Sequence, residues 1–292
     1  MLSDLSKGLA EIVAKNGGGI VRLENGCRGG GSGLAWSSEL VVTAAHLVDD
    51  ERVAVGLADG RIVEAKVVGR DEGTDLALLS LPGEALVPPP RTSLEDASVG
   101  HLTISLARPG KTVRAALGMI GALGGSFRAR TGGTVDRYLQ PDGGIPQGFA
   151  GGALFDHDGR VLGLNTPALL PHVGLTVPVA TIERVVAELG AHGRVRRGYF
   201  GIGVSSVRLP PALAQKLGQR GAAIVVAVEE GGPSEKAGLV IGDVLLSVDG
   251  EPVSGPRELT TLLEGRIEVD VLVKHLRAGN LEQRTVHTTA RP

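Results

Sequence analysis

The chain has 292 residues with 30 basic and 32 acidic side chains, a near-neutral balance that leaves no global field to favour nucleic acid. Glycine supplies 45 residues, about twice its usual ~7 % share, and it punctuates short apolar runs without forming a repeat, so a mostly β chain is expected. Cys27 is the lone cysteine, which excludes an internal disulfide and leaves it the role of a small apolar or loop residue.

The opening residues carry charge and lack the ~7–15-residue apolar core of a signal peptide, and no apolar run approaches the ~18 residues of a membrane span. A complete chain is therefore expected in the cytoplasm, and a chain trimmed of a leader or anchor in the periplasm or another extracytoplasmic space. Leu5, Leu9 and Ile12 recur at i, i+4 and i+7 behind Ser3, a suitable N-cap, which predicts a short amphipathic helix ended by Gly17, Gly18 and Gly19. Short β-prone runs follow at 20–24, 33–36, 40–43, 52–57, 62–68 and 76–81, a spacing that suits a small closed barrel. After Pro88, Pro89 and Pro90 a second series at 102–106, 113–120, 135–140, 160–165 and 173–177 suits a second barrel.

Ile182, Val185, Val186 and Leu189, with Pro178 ahead and Gly190 behind, predict a helix that closes the first domain, set at 1–190. The basic segment 192–197 reads as a linker, since it lacks the neighbouring aromatics of a nucleic-acid patch. A second domain at 198–292 is predicted from strands at 202–207, 223–228, 244–248, 268–274 and 283–288 around helices at 234–237 and 257–263.

Three short stretches carry chemistry. Acyl transfer to a weak nucleophile needs an imidazole to take the hydroxyl proton and a buried carboxylate to hold that imidazole in one tautomer. His46, in Thr43-Ala44-Ala45-His46, and Asp75, in Thr74-Asp75-Leu76-Ala77, fit those roles. The third stretch, Gly148-Phe149-Ala150-Gly151-Gly152, has the glycines of a tight turn that converges backbone N–H donors on an oxyanion, with alanine where a nucleophile would stand. Each stretch alone has an ordinary structural explanation. The order His, Asp, glycine-flanked turn is the specific signal.

Gly31-Ser32-Gly33, Val42 to His46, Gly69 to Ala77, Gly148 to Leu154, Gly159 to Asn165 and Arg197 to Ile202 together resemble the HtrA family of serine proteases over nearly the whole chain. The resemblance implies a chymotrypsin-like double β-barrel followed by a small α+β PDZ domain. It assigns His46 as general base, Asp75 as its orienter, Ala150 to the nucleophile position and the N–H groups of Gly148 and Ala150 to the oxyanion hole. It puts the primary specificity pocket beside Gly144 and along Leu164, Asn165 and Thr166. No carboxylate sits at Gly144, so a small or apolar side chain is expected at the cleavage site, with Asp142 two residues away as the counter-indication.

Two departures from the family pattern stand out. Ala150 lacks the hydroxyl, and Phe149 replaces the common asparagine or aspartate. Loss of the nucleophile costs on the order of 10⁶ in turnover, so the chain as written is expected not to cleave. An alanine introduced to trap substrate would leave His46 and Asp75 untouched, whereas a natural pseudoprotease, acting as a peptide-binding or chaperone-like protein, would be free to lose both. In the second domain, Tyr199-Phe200-Gly201-Ile202 resembles the PDZ carboxylate loop, where the N–H groups of Phe200, Gly201 and Ile202 form a nest for a peptide C-terminus. By resemblance, Gly124 to Tyr138 is the loop whose arrangement peptide capture would bias, and its glycines at 124, 125, 132 and 133 permit two backbone arrangements. The implied partners are unfolded polypeptides and peptide C-termini, with no nucleic acid, no metal and no cofactor. Family members are trimers or multiples of trimers, so a homotrimer is implied, although the scarcity of aromatics counts against it.

Overall fold

The computed structural model describes residues 2–24 and 30–290, so Cys27 lies outside the described residues. The chain divides into two compact units, Met1–Val195 and Arg196–Pro292. The first opens with α1 (Leu2–Asn16), which runs through Ser3, so the expected cap lies within the helix. Leu9, Ile12 and Val13 dock α1 on the core, and the buried Asn16 side chain donates to Ile12 O at 3.0 Å and Gly159 O at 3.3 Å.

A closed six-stranded barrel follows, formed by β1 (Ile20–Leu23), β2 (Gly31–Ala35), β3 (Leu40–Ala44), β4 (Arg52–Gly56), β5 (Ile62–Asp71) and β6 (Leu76–Ser80) in the order β1-β2-β3-β6-β5-β4. Its strands read as near-continuous apolar runs because several are buried on both faces. Val21, Val41, Ala77 and Leu79 belong to one core cluster, while their neighbours Ile20, Val42, Leu76 and Leu78 belong to a second one that extends into the rest of the unit. The two-residue period of each strand thus serves two cores at once.

The second series contains β7 (Leu102–Ala107), β8 (Arg114–Leu123), β9 (Phe127–Arg128), β10 (Thr134–Val135), β11 (Leu139–Pro141), β12 (Ala153–Phe155), β13 (Val161–Leu170) and β14 (Val173–Pro178). Six of these form one sheet, β11-β8-β7-β12-β13-β14, whose edge strands β11 and β14 lie close together, giving a barrel-like body. The expected single strand at 135–140 is divided between β10 and β11, because Val135 completes a small hairpin with Phe127 while Leu139 pairs Leu123. α2 (Val179–His192) closes the unit, burying Ile182, Val185 and Leu189 and ending at Gly193, whose N–H donates to Leu189 O at 2.8 Å.

The second unit runs β15 (Gly198–Tyr199), β16 (Ile202–Arg208), α3 (Pro211–Leu217), β17 (Gly221–Val228), α4 (Pro233–Lys236), β18 (Val244–Val248), β19 (Glu251–Pro252), α5 (Pro256–Leu262), β20 (Asp270–Arg277), β21 (Asn280–His287) and β22 (Thr289–Ala290). Its main sheet has the order β16-β17-β18-β20-β21, which leaves β16 at an edge. α3 was not expected from the sequence, and it carries no fully buried residue, so its apolar period is faint.

One buried group is expected to make the stability of this unit depend on pH. His275, on β20, is fully buried, and neither ring nitrogen has a hydrogen-bond partner among the described residues. Its Nε2 stands 3.8 Å from Asp243 and 3.9 Å from Glu282, but Asp243 is already held by Arg277 at 2.7 Å and Glu282 by Arg284 at 2.8 Å. Burial lowers the proton affinity of this imidazole; Arg277 and Arg284 add to that, and Asp243 and Glu282 oppose it without prevailing. An unfolded chain binds the proton near its reference pKa of about 6.5, before the folded chain does. The His275 contribution is therefore complete above that pH and declines as pH falls through it. Exposed His287, whose proton affinity is raised by its hydrogen bond to Asp270, acts in the opposite direction through a screened surface pair. The unfolding free energy of the second unit, measured by hydrogen exchange in the intact chain, is expected to fall between about pH 7.5 and 5.5, a window that brackets that reference value, and His275→Leu to remove most of that fall. An unchanged slope in His275→Leu would contradict the assignment.

Candidate active site

β3 ends at Ala44 and the chain turns tightly through Ala45, His46 and Leu47, which presents His46 at the rim of the first barrel with its side chain 37 % exposed. Asp75 precedes β6, the strand paired to β3, so the ladder that joins Ala44 to Leu76 brings the two residues together. The contact has several parts. His46 Nδ1 lies 2.8 Å from Asp75 Oδ2 and 3.1 Å from Oδ1, the His46 N–H donates to Oδ1 at 2.9 Å, and the Ala45 N–H donates to the Asp75 carbonyl at 3.1 Å. A carboxylate bonded to Nδ1 fixes the imidazole with Nε2 free to accept a proton.

Asp75 is 3 % exposed and has φ of +55°, a left-handed conformation that aspartate tolerates better than bulkier residues. The turn that imposes it is bound from both sides. Asp71 accepts from the Thr74 N–H at 3.0 Å and hydroxyl at 2.6 Å, while the Gly73 carbonyl accepts from the Thr131 hydroxyl at 2.8 Å and the Gly133 N–H at 3.2 Å. Thr131 and Gly133 lie in the β9–β10 connection. The segment expected as a loop of two arrangements therefore contains a hairpin bonded to the carboxylate turn.

The glycine-flanked turn is anchored to the first barrel. Ser32 on β2 donates its N–H to Ala150 O at 3.0 Å and its hydroxyl to Gly148 O at 3.1 Å. Behind the turn, the Gly151 N–H donates to Asn165 O and the Asn165 N–H to Gly152 O, both at 2.8 Å. Two glycines are required by shape. Gly148 has φ of +83°, and a Cβ on Gly151, itself at φ of +75°, would sit 2.0 Å from Ser32 O. Phe149 is 5 % exposed and its N–H closes a turn onto Pro146 O at 3.0 Å. The N–H groups of Gly148 and Ala150 have no acceptor among the described residues. Free N–H groups two residues apart in a turn of fixed shape are what an oxyanion would need.

Leu164, Asn165 and Thr166 have no exposed surface. The Thr166 hydroxyl donates to Asp75 Oδ2, and the Asn165 side chain is shared between Ser105 at 3.3 Å and Thr176 at 2.7 Å. These three residues lie on β13, which is flanked by β12 and β14 in its sheet. Gly144 has open space around it, and its neighbour Ile145 packs on the backbone of Gly174. The sequence marks Ser32 without giving it a role, and it places Thr166 in the pocket, whereas the hydroxyl of that residue faces the carboxylate. The Asp71-x-x-Thr74 spacing was the one local signal for the bound turn, as an acidic side chain commonly caps N–H groups two or three residues on.

In the second unit, Phe200 is 2 % exposed, Gly201 has φ of +69°, and Ile202 starts the edge strand β16. The carbonyls of Phe200 and Gly201 accept from Ser234 at 2.9 Å and Glu229 at 2.8 Å, while the N–H groups of both residues have no acceptor among the described residues. α5 lies beside β16, which leaves an open strand edge next to a helix.

The profile of the trypsin-like peptidase domain matches residues 31–164, and that of the PDZ domain matches residues 224–276. The solved structure of the HtrA-type protease AlgW with a decapeptide superposes with a TM-score of 0.76 at 25 % identity, covering 97 % of this chain and 98 % of that one. The chain belongs to the HtrA family. The serine endoprotease from Yersinia pestis gives a TM-score of 0.75 at 27 % identity over 97 % of this chain and 98 % of that one. Among sequence relatives, the probable periplasmic serine endoprotease DegP-like of Brucella suis is 34 % identical over 241 residues, 78 % of this chain and 46 % of its own length. The periplasmic serine endoprotease DegP of Salmonella typhimurium is 32 % identical over 258 residues, 78 % of this chain and 53 % of its own length. This HtrA chain thus spans about half the length of these relatives. No helix among its described residues is long and apolar enough to cross a membrane. The relatives carry periplasmic names, so the expected cytoplasmic location gains no support from them.

Proposed function

We propose that the chain is an HtrA-type serine endopeptidase for unfolded or misfolded polypeptides, held inactive as written by Ala150. The observation that carries this reading is the His46–Asp75–Thr166 hydrogen-bonded frame beside a turn with two free N–H groups. His46 serves as general base, Asp75 fixes its tautomer, and Thr166 occupies part of the carboxylate's remaining hydrogen-bonding capacity. The N–H groups of Gly148 and Ala150 form the oxyanion hole. With a hydroxyl at position 150, His46 takes its proton as the oxygen attacks the scissile carbonyl, and later returns that proton to the leaving amine. The primary pocket lies beside Gly144 with Ile145 at its wall, which favours small or apolar side chains at the cleavage site. The relatives' names support a periplasmic setting.

The test is cleavage of reduced, denatured casein and of a folded protein of similar size. The Ala150→Ser chain is expected to cut the first and spare the second, and the present chain to cut neither. A folded Ala150→Ser chain that leaves casein intact would favour a noncatalytic peptide-binding protein.

The two domains proposed at 1–190 and 198–292 divide the labour, the second capturing peptide C-termini. A peptide would add a strand to the open edge of β16, with its carboxylate on the N–H groups of Phe200, Gly201 and Ile202. An apolar C-terminal peptide is expected to bind by calorimetry, and its C-terminal amide to bind at least tenfold more weakly, as loss of a charge-assisted contact of about 1.5–3 kcal/mol would give. Equal affinity for the two would contradict the carboxylate site.

A further inference from the structure

Ser32 belongs to a strand of the first barrel, yet every polar group it has bears on the nucleophile turn or on a residue that supports it. Its N–H donates to Ala150 O at 3.0 Å, its hydroxyl donates to Gly148 O at 3.1 Å, and its carbonyl accepts the Thr43 hydroxyl at 2.7 Å while closing the space beside Gly151. The residue is fully buried, so no water competes for these bonds. The hydroxyl also accepts the Arg108 N–H at 2.8 Å. Because that N–H occupies a lone pair of the oxygen, the hydroxyl proton is left to point at Gly148.

Arg108 is fixed in its turn. Its guanidinium, also buried, donates to Ile20 O at 2.6 Å, Gly17 O at 2.7 Å and Lys111 O at 2.9 Å. A continuous chain of bonds therefore runs from the start of β1 through Arg108 and Ser32 to the turn at 148–150. Gly148, at φ of +83°, has no side chain to restrain it, and its carbonyl is where that chain ends.

We propose that Ser32 is a positioning residue for the oxyanion hole, its hydroxyl fixing the peptide plane between Gly148 and Phe149, which joins the two planes that carry the Gly148 and Ala150 N–H groups, and so restricting how those groups aim. The inference rests on the reading of those two groups as the oxyanion donors. Their alignment matters most when charge develops on the carbonyl oxygen, so loss of the anchor acts on the transition state more than on bound substrate. A purely structural hydroxyl, satisfying Arg108 alone, would not separate the two.

The kinetic test uses the Ala150→Ser chain and a small chromogenic peptide. Ser32→Ala is expected to lower kcat by about 10- to 100-fold, below the ~10²–10³ of removing an oxyanion donor outright, with KM changed less than about threefold. Ser32→Thr, which keeps the donor, recovers most of kcat. A peptide aldehyde that mimics the tetrahedral adduct loses affinity by the same factor as kcat, and an uncleavable product peptide does not. If Ser32→Ala does not fold, Ser32→Cys carries the same test, its thiol filling the site but donating weakly. A folded variant with kcat within twofold of its parent, or with product-peptide binding weakened as much as kcat, overturns the proposal. A second arm needs no catalysis. In the present chain, Ser32→Ala should shift the amide resonances of Gly148, Phe149 and Ala150 while leaving those of β4 and β5 in place, and unmoved turn resonances overturn the proposal even if Ala150→Ser itself proves inactive.

Discussion

Ala150→Ser is expected to raise the rate of peptide hydrolysis by about six orders of magnitude, equivalent to roughly 8 kcal/mol of barrier. The size of the effect follows from what is already present. The imidazole is bonded to a buried carboxylate, and the N–H groups that would face the oxyanion have no acceptor among the described residues, so the missing oxygen is the one component to be supplied. Serine adds one atom to alanine at a residue whose backbone carbonyl is held by Ser32 and whose neighbour Gly151 is held by Asn165, so the turn has little freedom to rearrange. Turnover of casein at saturating substrate measures the gain. A folded Ala150→Ser chain within tenfold of the alanine form would mean that the hydroxyl and His46 do not meet.

In that active background Asp75→Asn is expected to lower kcat about 10⁴-fold. The carboxylate accepts from the His46 N–H, from His46 Nδ1 and from the Thr166 hydroxyl. An amide in the same place keeps the shape and tolerates the left-handed backbone, but turning its NH₂ to Nδ1 stabilises the wrong tautomer and leaves Nε2 protonated. The imidazolium that forms in the transition state also loses its counter-charge. KM should change little, since Asp75 is buried behind His46 and makes no contact with substrate in the proposed mechanism. A loss of kcat under tenfold, with the melting temperature retained, would remove Asp75 from the mechanism.

The two barrels and the β-rich second domain were legible in the sequence because strands buried on two faces leave long apolar runs, and Gly and Pro separate those runs cleanly. β12 was not legible. Ala153 to Phe155 directly follows a glycine turn, is three residues long and becomes a strand only because β7 and β13 flank it. The hairpin of β9 and β10 was hidden for a similar reason, with two residues in each strand and glycines between them. At the site, His46, Asp75 and the turn at 148–152 could be found because each sits in a local pattern whose order is informative. The supports could not. Thr166 is 91 residues from Asp75 and Ser32 is 116 from Gly148, and no local pattern records a hydrogen bond across such separations.

Reaction with a fluorophosphonate tests, without reference to any substrate, the proposal that this chain holds a nucleophile site complete except for its hydroxyl. The introduced serine oxygen attacks phosphorus, fluoride leaves, and the adduct is read by intact mass and located by peptide mapping. One adduct per chain, mapped to position 150 of the Ala150→Ser protein, abolished by His46→Ala and absent from the present chain, is the predicted result. An Ala150→Ser protein that melts like its parent and takes up no label would contradict the account.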